Sequence, residues 1–303
     1  MKKKLKLPLV IIGGISLSAL FLFGKNNTSD PAPPTAPLMF NYKWYSPPLP
    51  ESMDFAGEKV PMDQWNIREQ FDKQLTSNYY WQGEILYIIK LSQRFFPIIE
   101  ERLRANGVPE DMKYLCVAES KLQNLVSRAG AAGYWQFLTS TAPGYGLEVN
   151  NEVDQRYDIV KSTDAACKYL KQAYEKLGNW TAAAASYNCG QGGYNSNATF
   201  QKTSNYYDLL LPEETNQYIF RILTFKYLLG SSKMLGYIIT PKDAYINPPL
   251  KQINVSASIP DLVKFAIDNG SNYKMLRLCN PWIRSRSLTV RNGKTYTISL
   301  PQA

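Results

Sequence analysis

Apolar and polar residues alternate along this chain in three distinct textures. From Leu7 to Phe23 the apolar run is almost unbroken, and it follows Lys2-Lys3-Lys4-Leu5-Lys6. A basic stretch ahead of an apolar run is the pattern of an export signal, and the flanking charge fits export better than a buried helix. The run is long for a cleaved signal and short for a full membrane span. Residues 1–24 are therefore expected to be an export signal or an amino-terminal membrane anchor, and the pattern leaves both open. Residues 25–60 read as a linker, rich in proline from Pro31 to Pro50.

From 61 to 240 the period is helical. A stretch from Gln82 to Asn106 is rich in Ile, Leu and Phe, with Pro97 expected to kink or restart it. Pro109, followed by Glu110 and Asp111, opens the next helix. Ala166, Tyr169, Leu170, Ala173, Tyr174 and Leu177 define one face of a helix over 162–177, stopped by Gly178. Thr181 is expected to cap a short alanine-rich helix ending near Tyr187, and Pro212 with Glu213 and Glu214 to start another. After Pro241 the texture changes again. A short Val/Ile segment, helices near 260–269 and 273–279, and an alternating strand over 294–300 predict a small α+β domain at 250–303. The expected fold class is mainly α, with this domain appended.

Composition narrows the chemistry. The 303 residues contain no histidine, which removes Ser-His-Asp and Cys-His nucleophiles, His-ligated zinc and His acid–base catalysis. Catalysis must rest on carboxylates, Lys, Tyr or Cys. The net charge of +9 falls partly on Lys2, Lys3, Lys4, Lys6 and Lys25, and no basic run follows, so a nucleic-acid partner is not expected. Cys116, Cys167, Cys189 and Cys279 lack metal-knuckle spacing and read mainly as small buried apolar residues, a disulfide requiring an oxidising compartment. Gly190-Gln191-Gly192-Gly193 lacks the Lys and Ser/Thr of a phosphate loop. No metal and no cofactor is implied.

Glu119 is the residue out of place. Met112, Leu115 and Cys116 lie at i, i+3 and i+4 of the helix opened by Pro109, and Glu119 continues that stripe at i+7. Burial there raises a carboxyl pKa, as general-acid cleavage of a glycosidic bond requires. A buried glutamate in a structural ion pair has the same pattern, and periodicity alone leaves the two even.

The surrounding residues break the tie. Glu119-Ser120, Ser127, the run Gly130-Ala131-Ala132-Gly133-Tyr134-Trp135-Gln136-Phe137, Ser186-Tyr187-Asn188-Cys189-Gly190, and Glu214-Thr215 with Tyr218 occur in that order. Together with Val153–Asp158 and Lys168-Tyr169-Leu170, they resemble the lytic transglycosylase family, closest to its membrane-bound murein type D, over about 68–229. The resemblance implies a goose-lysozyme-like helical catalytic domain at 61–240 that cleaves peptidoglycan glycan strands. It implies Glu119 as the single catalytic acid/base, with Ser120 as a small polar partner beside it. Ser127, Gly133, Gln136, Tyr187, Asn188 and Tyr218 are the implied substrate-binding residues, Gly133 by letting the backbone approach the sugar. The chain departs from the family pattern at Ser186, Cys189 and Tyr134-Trp135, the last pair bearing on sugar stacking, and Glu119–Ser127 is one residue short.

Each accessory residue also has a plainer reading. Gly130 and Gly133 fit turns, Trp135 and Phe137 fit a core, Tyr187 and Tyr218 fit apolar helix faces, and Asp154 with Arg156 fits a solvated surface pair. Residues 251–301 are similar to a LysM module, with Asn280-Pro281-Trp282 after the second helix and Tyr296-Thr297-Ile298 in the closing strand. The opening Gly-Asp-Thr is replaced by Ile259-Pro260-Asp261-Leu262, and a shared fold does not by itself carry glycan binding. The resemblance implies formation of 1,6-anhydro-muramyl ends in a bacterial periplasm, with inner-membrane or envelope association. A hydrolase using Asp154 or another acid to place a water, and a non-catalytic wall-binding protein, are the alternatives.

Overall fold

A computed structural model describes residues 44–291 and 293–302. The apolar segment at 1–24 and the first part of the linker lie outside the described residues. Among the described residues, no helix is long and apolar enough to cross a membrane.

The last eight residues assigned by composition to the linker form a hairpin instead. Strands β1 (Met53–Phe55) and β2 (Glu58–Val60) pair antiparallel around Ala56-Gly57, and Phe55 and Val60 are buried in the main core. The proline-rich run ends at Pro50 and no proline falls within 53–60, so the linker composition ends before the fold begins. Helix α1 (Trp65–Tyr79) buries Ile67, Phe71 and Leu75, an i, i+4, i+8 stripe, and packs on α6. Helix α2 (Gln82–Ala105) runs through Pro97 without ending. Pro97 and Gln93 both lie on the solvent face, where the carbonyl that loses its helical partner can be hydrated.

Helix α3 (Met112–Ser120) ends in two successive left-handed residues, Lys121 and Leu122. Helix α4 (Ile159–Leu177) is capped by the Asp158 carboxylate and closed by Gly178. Helix α5 (Trp180–Gln201) is capped by Asn179, whose side chain accepts from Ala182 N, and not by Thr181. Thr181 lies inside the first turn and donates its hydroxyl to Glu58, whose carboxylate also takes the Trp180 and Thr181 amides. Gly190, at φ +76°, breaks α5 just beyond Tyr187. Helix α6 (Glu213–Gly230) contributes Tyr218, Ile219, Ile222 and Leu223 to the core, packed against α1, α3 and α5.

The carboxyl-terminal segment builds its own apolar cluster. Strand β3 (Leu250–Val255) pairs antiparallel with β4 (Tyr296–Pro301), and helices α7 (Leu262–Asp268) and α8 (Tyr273–Cys279) stand between them in sequence. Its core is Leu262, Leu276, Ile283, Leu288, Ile298 and Leu300, joined by Val153 from the helical body. All four cysteines are free thiols, with Cys116 and Cys167 buried.

Asn280 is fully buried at the end of α8. Its amide donates to the Leu276 carbonyl at 2.8 Å and the Ser299 carbonyl at 2.6 Å, and its oxygen accepts from Ser299 N at 2.8 Å. Asn280→Ala strands the Ser299 backbone groups, at about 1–3 kcal/mol for each buried group left unpaired. Urea unfolding followed by NMR at the Trp282 indole N–H is expected to show this loss; an unchanged midpoint would contradict the assignment.

Candidate active site

Glu119 sits one residue from the end of α3. Met112, Leu115 and Cys116 on its stripe are fully buried, whereas Glu119 is half-buried, so its carboxyl meets both core and solvent. Loss of water pushes its pKa up to about 7. The phenol of Tyr218, reaching across from α6, donates to Oε1 and works the other way, as does the positive field of Arg221; Glu214 adds to the rise. Burial and the neighbouring carboxylate hold the Tyr218 phenol well above its ordinary range, so it stays a proton donor.

Tyr187 lies on α5 near the break at Gly190. Its hydroxyl donates to the Trp135 carbonyl at 2.8 Å, and its ring meets those of Trp135, Phe137 and Tyr169. Burial pushes its phenol up, and the charge of Glu119 is the next cause. Asn188 is engaged within the protein: its oxygen accepts from Thr215 Oγ1 at 2.8 Å and its nitrogen donates to Glu214 Oε1 at 3.3 Å. It latches α5 to the start of α6.

The loop 130–137 faces the same region. Gly133 has φ +83°, and an added Cβ would fall 1.8 Å from the Arg156 carbonyl oxygen. The buried glycine is thus required by the protein's own backbone at Arg156, a different reason from the approach to sugar expected above. Gln136 is also left-handed, and its amide nitrogen donates to the Leu125 and Gly133 carbonyls at 3.1 and 2.8 Å. Among the described residues no donor reaches its Oε1, which is available to a ligand. Trp135 is fully buried and donates from Nε1 to Thr163 Oγ1 at 2.9 Å, so it packs the core and offers no stacking face to a sugar. Phe137 is likewise in the core, as its plainer reading had it.

Two expected residues stand apart. Ser120 is buried, and its hydroxyl donates back along α3 to the Cys116 carbonyl at 3.2 Å. Ser127 is exposed in a tight turn, its oxygen accepting from Ala131 N at 3.1 Å. The short Glu119–Ser127 connection is made through the left-handed Lys121 and Leu122, a conformation costing about 1–2 kcal/mol per residue.

Asp154 and Arg156 overturn their surface reading. Both are buried, paired through two hydrogen bonds of 2.9 and 2.7 Å. Arg156 Nη1 also donates to the Gly130 and Phe137 carbonyls at 3.2 and 3.1 Å, gripping both ends of the 130–137 loop. A pair two residues apart in a polar loop carries no sequence sign of burial. Arg221 was also missed; its one signal is a place three residues after Tyr218 on α6.

The family model for the transglycosylase SLT domain matches residues 96–209, spanning α3, the 130–137 loop, α4 and α5. Residues 96–209 are thus similar to transglycosylase domains of SLT type. The model for the soluble lytic transglycosylase C-terminal LysM-like domain matches residues 251–303. The chain is related to membrane-bound lytic murein transglycosylase D of Escherichia coli K12, with 27% identity over 243 residues, 77% of this chain and 52% of that protein. The chain thus spans about half the length of that relative. It is also similar to a putative tributyltin chloride resistance protein of Alteromonas sp. M-1, at 22% identity over 191 residues, 61% of this chain and 86% of that one. Tyr218, which donates to Glu119, lies beyond the matched span.

The raised carboxyl has a thermodynamic signature. Because Glu119 keeps its proton in the folded state up to about pH 7 against an ordinary 4.5, its contribution to stability is full below 4.5 and is lost as pH rises to about 7. Glu119→Gln, which cannot ionise, is expected to gain stability over the parent across that window and none from ionisation below it. Urea midpoints measured through the window check this; a difference independent of pH would contradict it.

Proposed function

We propose that the chain is a peptidoglycan lytic transglycosylase in which Glu119 is the single acid/base. The observation that carries the reading is one half-buried carboxyl with its pKa near 7, facing a tyrosine that remains a donor. At neutral pH a large share of Glu119 is protonated. It gives that proton to the oxygen leaving from C4 of N-acetylglucosamine as the bond to N-acetylmuramic acid breaks. The muramyl acetamido group shields the positive charge at C1, so no second carboxylate is needed. The Tyr218 hydroxyl and the field of Arg221 favour the carboxylate left behind. That carboxylate takes the proton of the muramyl C6 hydroxyl, whose oxygen closes on C1 to give the 1,6-anhydro ring. No water is consumed.

Intramolecular attack outruns water when the ring is held in reacting geometry. Gln136 Oε1 is the polar atom we assign to substrate in the 130–137 loop, Tyr187 lines the cleft floor, and the exposed Ser127 lies at its rim. Gly133 and Asn188 serve by shaping the loop and joining α5 to α6. Asp154 is unsuited to placing a hydrolytic water, since Arg156 engages both of its oxygens. We place the protein in the bacterial envelope, exported to the periplasm by residues 1–24.

Mass analysis of purified peptidoglycan digested by this protein is expected to show anhydro-muropeptides, and none with Glu119→Gln. Reducing-end products would identify a hydrolase, and sacculus retention without products a wall-binding protein. The pH profile offers a second check. Tyr218→Phe removes a bond that favours the ionised form, so the alkaline limb of activity, where the acid is lost, is expected to move to higher pH. A limb that stays in place or moves down would contradict the role given to Tyr218.

A further inference from the structure

The carboxyl-terminal domain is docked on one short segment of the helical body. Residues 148–155 fold back on themselves, with Val149 bridged to Asp154 and the Asn150 side chain accepting from Glu152 N and Val153 N, both at 2.8 Å. The carboxyl-terminal domain grips this hairpin along its length. Val153 bridges to Ile283 and lies in that domain's apolar cluster. Asp154 N donates to the Trp282 carbonyl at 2.8 Å, and Arg284 N to the Glu152 carbonyl at 2.7 Å. The Glu152 carboxylate accepts from Thr289 N at 2.8 Å and Ser287 Oγ at 3.1 Å, bonds that hold its pKa below the usual range. Glu148 Oε2 takes the Tyr296 hydroxyl at 2.9 Å and Lys294 at 3.1 Å, and the Arg284 guanidinium lies over the Tyr157 ring.

The next residues along the same segment hold the cleft. Asp154 fixes Arg156, Arg156 grips Gly130 and Phe137, and the Arg156 carbonyl fills the space beside Gly133. Residue 154 belongs to both contacts, its amide bound to the carboxyl-terminal domain and its carboxylate to Arg156.

We propose that the carboxyl-terminal domain is a brace for the catalytic cleft, setting the 148–154 hairpin so that Arg156, as a positioning residue, holds the 130–137 loop against α3. The loop after α8, including Trp282 and Ile283, is buried in this contact. The brace rests on the proposed function for its effect on rate, but not for its effect on the loop. A domain that only tethers the enzyme to the wall would act through substrate affinity for large sacculi. A brace acts on turnover of any substrate, because displacing a positioning group lowers the rate of the chemical step.

The test uses the full chain carrying Glu148→Ala together with Glu152→Ala, both of which remove contacts to the carboxyl-terminal domain. Amide exchange at Asp154 and Arg284, whose acceptors are the backbone carbonyls of Trp282 and Glu152, reports the docking; exchange at Ala132 and Gly133, which donate to the Phe137 and Leu125 carbonyls, reports the loop. The brace predicts that both sets exchange faster together. It also predicts that kcat on a short soluble glycan oligomer falls about tenfold or more, with KM little changed. Faster docking amides with protected loop amides and unchanged kcat would overturn it, as would a rise in KM confined to sacculi. If the double substitution leaves the docking amides protected, Val153→Asp puts a carboxylate into the domain's apolar cluster, and the same two readings decide. A parent protein that cleaves neither substrate sinks the proposed function, while the exchange arm still judges the brace.

Discussion

Withdrawal of the Glu119 carboxyl from water works against its ionisation, and the bond from the Tyr218 phenol works for it. The balance lies near neutral pH, where the proposed role of one group, first as acid and then as base, requires it. Everything around it serves that balance. Helix α3 presents Glu119 on its core-facing stripe, α6 brings Tyr218 and Arg221 to it, and Asn188 fixes the start of α6 to the part of α5 that precedes the break at Gly190. A deeper burial would leave the group neutral and useless as a base. A shallower one would leave it ionised and unable to protonate a leaving oxygen.

The second constraint is the buried Asp154–Arg156 pair. Burying two charges is costly, and the attraction between them repays that only when their other hydrogen-bonding positions are met. Here they are, by the carbonyls of Gly130 and Phe137. Through those carbonyls the pair holds both ends of the loop that carries Gly133 and Gln136. The same segment receives the carboxyl-terminal domain, so two modules distinct in sequence meet at the residues that shape the cleft.

Much of this was legible in the chain. The stripe Met112, Leu115, Cys116 pointed to the raised carboxyl of Glu119, because a carboxylate at i+7 conflicts with its apolar neighbours. The helices, the strand–helix–helix–strand order at the end and the core role of Phe137 followed from periodicity. What was hidden depended on long-range contact. The 53–60 hairpin is too short for its alternation to stand out beside the prolines before it. Asn179 replaces Thr181 as the cap because Glu58, distant in sequence, occupies the hydroxyl of Thr181 and the first amides of α5. Asp154 and Arg156 look like any polar loop pair until the carbonyls they meet are known. The close neighbour of Gly133 that the structure shows is the Arg156 carbonyl, which no local pattern announces.

The central claim is that Glu119 is protonated where ordinary carboxyls are not, and carbon-13 NMR of glutamate carboxyls, assigned through Glu119→Gln, tests it directly. Following the Glu119 signal with pH is expected to give a midpoint at about 7. A midpoint near the ordinary 4.5 would contradict the account, because the group would then be ionised at neutral pH with no proton to give.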